Sequence, residues 1–75
     1  PEQSWERAAV KETLERFLRG RTAEERILFL RRYWWAEPVK TAAEHCGIPP
    51  RRAKSMLERL RRDLRSELEK EEITL

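Results

Sequence analysis

The sequence predicts an all-α, four-helix domain with a C-terminal helix-turn-helix and a long last helix. Charged residues make up 41% of the 75 residues, well above the quarter usual in a globular chain. Glycines are few, only Gly20 and Gly47, and no sustained period-two alternation marks a half-buried strand. Apolar residues instead recur at helical spacing in blocks separated by Gly and Pro. At 39% apolar the chain fills one compact core, which excludes a two-lobed enzyme with a sizeable cleft. One domain over residues 1–75 is expected. Pro1 in place of Met predicts a processed chain or an excised piece of a longer one.

The first helix is expected over about residues 4–19. Ser4 is its N-cap, Glu6 favours the first turn, and Val10, Leu14, Phe17 and Leu18 form the apolar stripe. Gly20 stops it, with Arg16 and Arg19 placed to meet the last carbonyls. Thr22 followed by Glu25 is a capping box, so a second helix is expected over 23–35. It should bury Ile27, Leu30 and Trp34, with Leu28, Phe29 and Tyr33 widening the stripe. Glu37-Pro38 ends it, because Pro fits only the first turn of a new helix. The third helix, 38–46, sets Val39, Ala42, Ala43 and Cys46 on one face, and Gly47 closes it in a left-handed conformation. Pro49-Pro50 restarts the chain, with Pro50 near the first helical position. The fourth helix then runs over 50–71 with Ala53, Met56, Leu57, Leu60, Leu64 and Leu68 on one stripe.

Charge is unevenly distributed. Residues 1–37 carry eight Lys/Arg against seven Asp/Glu, residues 38–65 eight against three, and residues 66–75 one against four. The basic excess is thus confined to one block, which suits a polyanionic partner. That block also has helix-turn-helix spacing. Such a motif needs a small residue where two helices cross, a glycine at the turn, and apolar residues locking the helices together. Ala43 and Gly47 supply the first two; Val39, Ala42, Cys46, Ile48, Ala53 and Met56 supply the third. If the apolar stripe faces inward, the outer face of the fourth helix begins with Arg51, Arg52, Lys54, Ser55 and Arg59. Arg and Lys there can pair with guanine edges in a major groove, and Ser can donate or accept. Arg61, Arg62 and Arg65 lie farther along, where phosphate or solvent would meet them. The plain alternative is a solvated face in which these arginines pair with Glu58 and Asp63.

The stretch from Glu24 to Trp35, then Val39-Lys40-Thr41-Ala42-Ala43, Gly47-Ile48 and Lys54 to Arg61, resembles region 4 of bacterial RNA polymerase sigma factors, closest to the extracytoplasmic-function type. The resemblance covers about residues 14–72. It implies recognition of the upstream (−35) promoter element by the last helix, and docking of the first two helices on the β-subunit flap of RNA polymerase core. The partners it implies are double-stranded promoter DNA, the polymerase and an anti-sigma factor, in the cytoplasm. It places Arg51, Lys54 and Ser55 toward bases, Arg52 and Arg59 toward the backbone, with Lys40 also at the DNA, and it makes Phe29, Tyr33 and Trp35 candidates for polymerase docking. Two departures stand out. Pro49-Pro50 replaces the Ser or Thr that commonly caps the recognition helix, so a phosphate finds fewer N–H donors and contacts near Pro50 should be apolar. Within these 75 residues no stretch resembling a promoter-melting region precedes the match, so this piece alone is expected to recognise a site without starting transcription.

Other readings remain open on the residues alone: a dimeric helix-turn-helix regulator, or a helical protein-interaction bundle that binds no DNA. Tyr33-Trp34-Trp35 cannot all face inward, since successive side chains diverge by about 100°; Trp34 is expected in the core and one neighbour exposed. Zinc needs three or four ligands, and one His and one Cys, adjacent at His45-Cys46, do not supply them. No cofactor, metal site or catalytic group is expected. Cys46 reads as a small core residue in a reducing compartment, and the Glu-rich end as a solubilising terminus. The longest apolar run is far too short to span a membrane.

Overall fold

A computed structural model describes residues 8–71. Four helices follow one another, and no strand occurs among the described residues. Helix α1 spans Ala8–Arg19, α2 Ala23–Phe29, α3 Val39–Cys46 and α4 Pro50–Lys70. The expected start of the first helix at Ser4 lies outside the described residues.

Helix α1 buries Val10, Thr13, Leu14, Phe17 and Leu18. Gly20 closes it through N–H bonds to the Arg16 and Phe17 carbonyls, at 3.3 and 3.2 Å. The arginine serving this end comes from the next helix rather than from α1 itself: Arg26 donates to the Leu18 carbonyl at 3.1 Å and the Arg21 carbonyl at 3.0 Å. Arg16 instead pairs with Glu71 at 2.6 Å. Because Arg26 reaches back across the turn, α1 and α2 are tied together where the sequence shows only a glycine and a cap.

Helix α2 begins with the expected capping box. The Glu25 N–H donates to Thr22 Oγ1, and the Thr22 N–H to Glu25 Oε1, both at 3.1 Å. Beyond Phe29 the helix widens into a π turn, Leu30–Trp34, closed by the Trp35 N–H on the Leu30 carbonyl at 3.0 Å. It then ends at Ala36, whose φ of 58° is left-handed without being glycine. The Glu37 N–H returns to the Arg31 carbonyl at 2.9 Å, the wrap-around bond of a left-handed helix end. Arg31 grips the Glu37 carboxylate at 3.0 Å and Arg32 its carbonyl at 3.2 Å; these ties hold an alanine in a conformation it disfavours.

The buried face of this segment differs from the expected one. Leu28 and Phe29 are buried and Tyr33 is half-buried, while Ile27 and Trp34 are 47% and 60% exposed. Ile27-Leu28-Phe29-Leu30 is apolar around the whole helix circumference, so periodicity alone does not choose a face. Packing against α3, α4 and α1 makes that choice. Ile27 and Trp34 are both left turned away from the core.

Helices α3 and α4 follow the sequence closely. Pro38 stands just outside α3 as its N-cap rather than in its first turn, and Pro50 opens α4. Gly47 sits at φ 70°, ψ 29°, and the Ile48 N–H reaches the Ala43 carbonyl at 3.1 Å. A Cβ on Gly47 would meet nothing within 4 Å; backbone conformation, not space, requires glycine there. All six stripe residues of α4 are buried. With 21 residues, α4 is about 31 Å long, nearly as long as the largest extent of the described fold, 34 Å.

Two apolar clusters share α4. Leu60, Leu64 and Leu68 join Val10, Leu14, Phe17, Leu18 and Phe29. Ala53, Met56 and Leu57 join Leu28, Ala42, Ala43 and Ile48, with Val39 and Cys46 packed against them. Tyr33 touches both clusters and lies 4.9 Å, ring centre to ring centre, from Phe29.

Candidate nucleic-acid interface

The inward stripe of α4 fixes what its other side presents. Taking about 100° per residue, Arg51, Ser55, Glu58 and Arg62 point directly away from the core. Arg52 and Arg59 form the flank beside α2, and Lys54, Arg61 and Arg65 the opposite flank. All nine are exposed. Arg51, Arg52 and Ser55, with Pro49 and Pro50, line one shallow depression at the tip of the helix. Neither proline carries an N–H, and the Ala53 N–H already bonds the Pro49 carbonyl at 3.0 Å. Arg51 and Arg52 therefore supply the free backbone donors of the first turn.

The acids that could neutralise this surface are placed unexpectedly. Asp63 pairs with Arg21 at 3.0 Å, and Arg21 also stacks over the Phe17 ring at 4.5 Å. Glu58 makes no ion pair among the described residues, nor do Arg51, Lys54, Arg61, Arg62 and Arg65. Arg52 and Arg59 approach carboxylates of α2 instead: Glu24 at 3.9 Å and Glu25 at 3.9 Å. Lys40 is exposed near the start of α3, the end away from Gly47, and does not line the depression. Of the six candidate DNA-facing residues, the fold gathers Arg51, Arg52 and Ser55 tightly, carries Lys54 and Arg59 on either flank, and sets Lys40 apart.

A second surface lies on α1 and the π turn. Leu14, Leu18, Leu30, Trp34 and Trp35 line an apolar groove between α1 and the π turn, edged by Lys11 and Glu15. Trp35 is 59% exposed and packs under the Arg31 guanidinium, 5.0 Å from its ring centre. Of the three aromatics expected to dock a protein partner, Trp35 is in this groove. Tyr33 is half-buried between the two clusters. Phe29 is only 3% exposed, and a side chain enclosed in the core has no surface to offer. Trp34, expected in the core, takes its place. The adjacent tryptophans were visible in sequence; the π turn that swings both outward was not.

Cys46 is half-buried. Burial pushes its thiol above the ordinary value; Glu24 and Glu37 add to the rise and Arg31 opposes it. A thiol so placed favours its protonated form. Among the described residues no group of three or more His, Cys, Asp or Glu is arranged to hold a metal, and no helix is long and apolar enough to cross a membrane.

Comparisons with protein-family models, with curated proteins and with solved structures find no match to this chain.

Proposed function

We propose that this domain is a promoter-recognition module of the sigma region 4 kind, with α4 as its DNA-reading helix. The observation that carries the reading is the exposed cationic tip of α4, set immediately after the left-handed turn at Gly47. Its arginines are not quenched by Glu58 or Asp63. In this reading α3, the turn and α4 form a helix-turn-helix. Arg51, Lys54 and Ser55 face base edges, Arg52 and Arg59 face phosphates, and Lys40 adds a phosphate contact from α3. The Pro49-Pro50 wall of the depression supplies an apolar contact, suited to a thymine methyl. The tryptophan groove on α1 and the π turn docks RNA polymerase core through its β-subunit flap, and an anti-sigma factor would compete for either surface. The module binds rather than catalyses, uses no cofactor and works in the cytoplasm.

A duplex selected from a random library, titrated by fluorescence anisotropy at several salt concentrations, tests the reading. Arg51→Ala should lose preference at one base pair, by about 1–3 kcal/mol of discrimination. Arg59→Ala should weaken all sequences alike and flatten the salt dependence by about one unit. Equal losses from both variants on scrambled DNA would remove base reading by Arg51. No salt-sensitive binding at low ionic strength, by protein with an intact helical spectrum, would overturn the reading and leave a protein-interaction bundle.

A further inference from the structure

We infer that Glu24 and Glu25 are intramolecular competitors of DNA phosphate, holding Arg52 and Arg59 against the protein and so weakening duplex binding of every sequence. The inference rests on the DNA-binding reading above. Arg52 and Arg59 are seven residues apart, so they lie within about 20° of each other on α4. Both reach one turn of one neighbour, the first turn of α2. Their guanidinium nitrogens stand 3.9 Å from Glu24 Oε1 and 3.9 Å from Glu25 Oε2, close enough to attract but too long for hydrogen bonds. A phosphate can therefore displace each carboxylate, but does so against that attraction and against repulsion from two nearby negative charges.

The two carboxylates are not equivalent. Glu25 has only 14% of its side chain exposed, and its Oε1 accepts from both the Thr22 N–H and hydroxyl, at 3.1 and 3.2 Å. Its charge is fixed in place by the helix cap, so it stays beside Arg59 whether or not a phosphate is bound. Glu24, 41% exposed, has no hydrogen bond among the described residues and can swing away when Arg52 engages a phosphate. Arg51 and Lys54 have no such partner among the described residues. On α4 the base-facing residues thus have no carboxylate partner among the described residues while the two phosphate-facing arginines are restrained, which trims the sequence-independent part of binding.

Glu24→Gln and Glu25→Gln remove the charges while keeping the shape; glutamine at position 25 preserves the capping box. Each should raise affinity about three- to fivefold at low salt, equally for selected and scrambled duplexes, and Glu12→Gln, an exposed acid on α1, should have a smaller effect. In an Arg52→Ala background the gain from Glu24→Gln should vanish, the mark of a pairwise interaction. A Glu24→Gln gain no larger than that of Glu12→Gln, or one that persists without Arg52, would overturn the competition while leaving DNA binding intact. Absence of duplex binding by all these folded proteins would instead remove the DNA reading, and this inference with it.

Discussion

The first turns of α4 pack Ala53, Met56 and Leu57 against Ala42, Ala43 and Leu28, whereas its last turns pack Leu60, Leu64 and Leu68 against Val10, Leu14, Phe17, Leu18 and Phe29. In the first region alanines bring two helix backbones close, so the direction of α4 is set by contacts with little slack. In the second, long leucine and phenylalanine side chains fill the space between the helices. The exteriors differ as well. Outside the alanine-packed region lies an exposed cationic tip, and outside the leucine-packed region an apolar groove with two exposed tryptophans. One helix thus joins a region built to aim a charged surface to a region built to supply stability and leave an apolar patch.

The largest expected effect breaks the second region. Leu60 is fully buried, and Leu60→Ala should cost about 3 kcal/mol through lost burial and the cavity left behind, read as a shift of the urea midpoint followed by circular dichroism. A loss below about 1 kcal/mol would mean that the region collapses freely around the gap. The next challenges the first region. Ala43 is also fully buried, facing α4, so Ala43→Leu should cost about 1–3 kcal/mol by overpacking and, on the proposed DNA-binding reading, should abolish duplex binding by re-aiming the helix. Wild-type stability would mean that the close approach is not needed. The smallest effect sharpens the contrast between interior and exterior. Trp34→Ala should change stability by no more than about 0.5 kcal/mol, although a buried tryptophan would cost about 3–5. A large loss would return Trp34 to the core, where periodicity places it.

The legible parts of the chain were those with one apolar stripe and an unambiguous stop. Helix α4 has six inward residues separated by charges, and Gly47 has an apolar residue on either side, so each position had one compatible role. The five DNA-facing candidates on α4 followed as the complement of that stripe, and all of them are exposed. The region around α2 was less legible. Four consecutive apolar residues offer no preferred face, and nothing local announces that the helix will widen at Leu30 or end on a left-handed alanine.

The sequence by itself determined where α3 and α4 run, which face of α4 is buried and where the positive charge accumulates, because helical period, proline and glycine act through neighbours along the chain. Only the tertiary structure decided that Phe29 rather than Trp34 enters the core, that Arg26 closes α1, and that Glu24 and Glu25 come to rest beside Arg52 and Arg59. Those outcomes depend on which surfaces compete for the same space once distant segments meet.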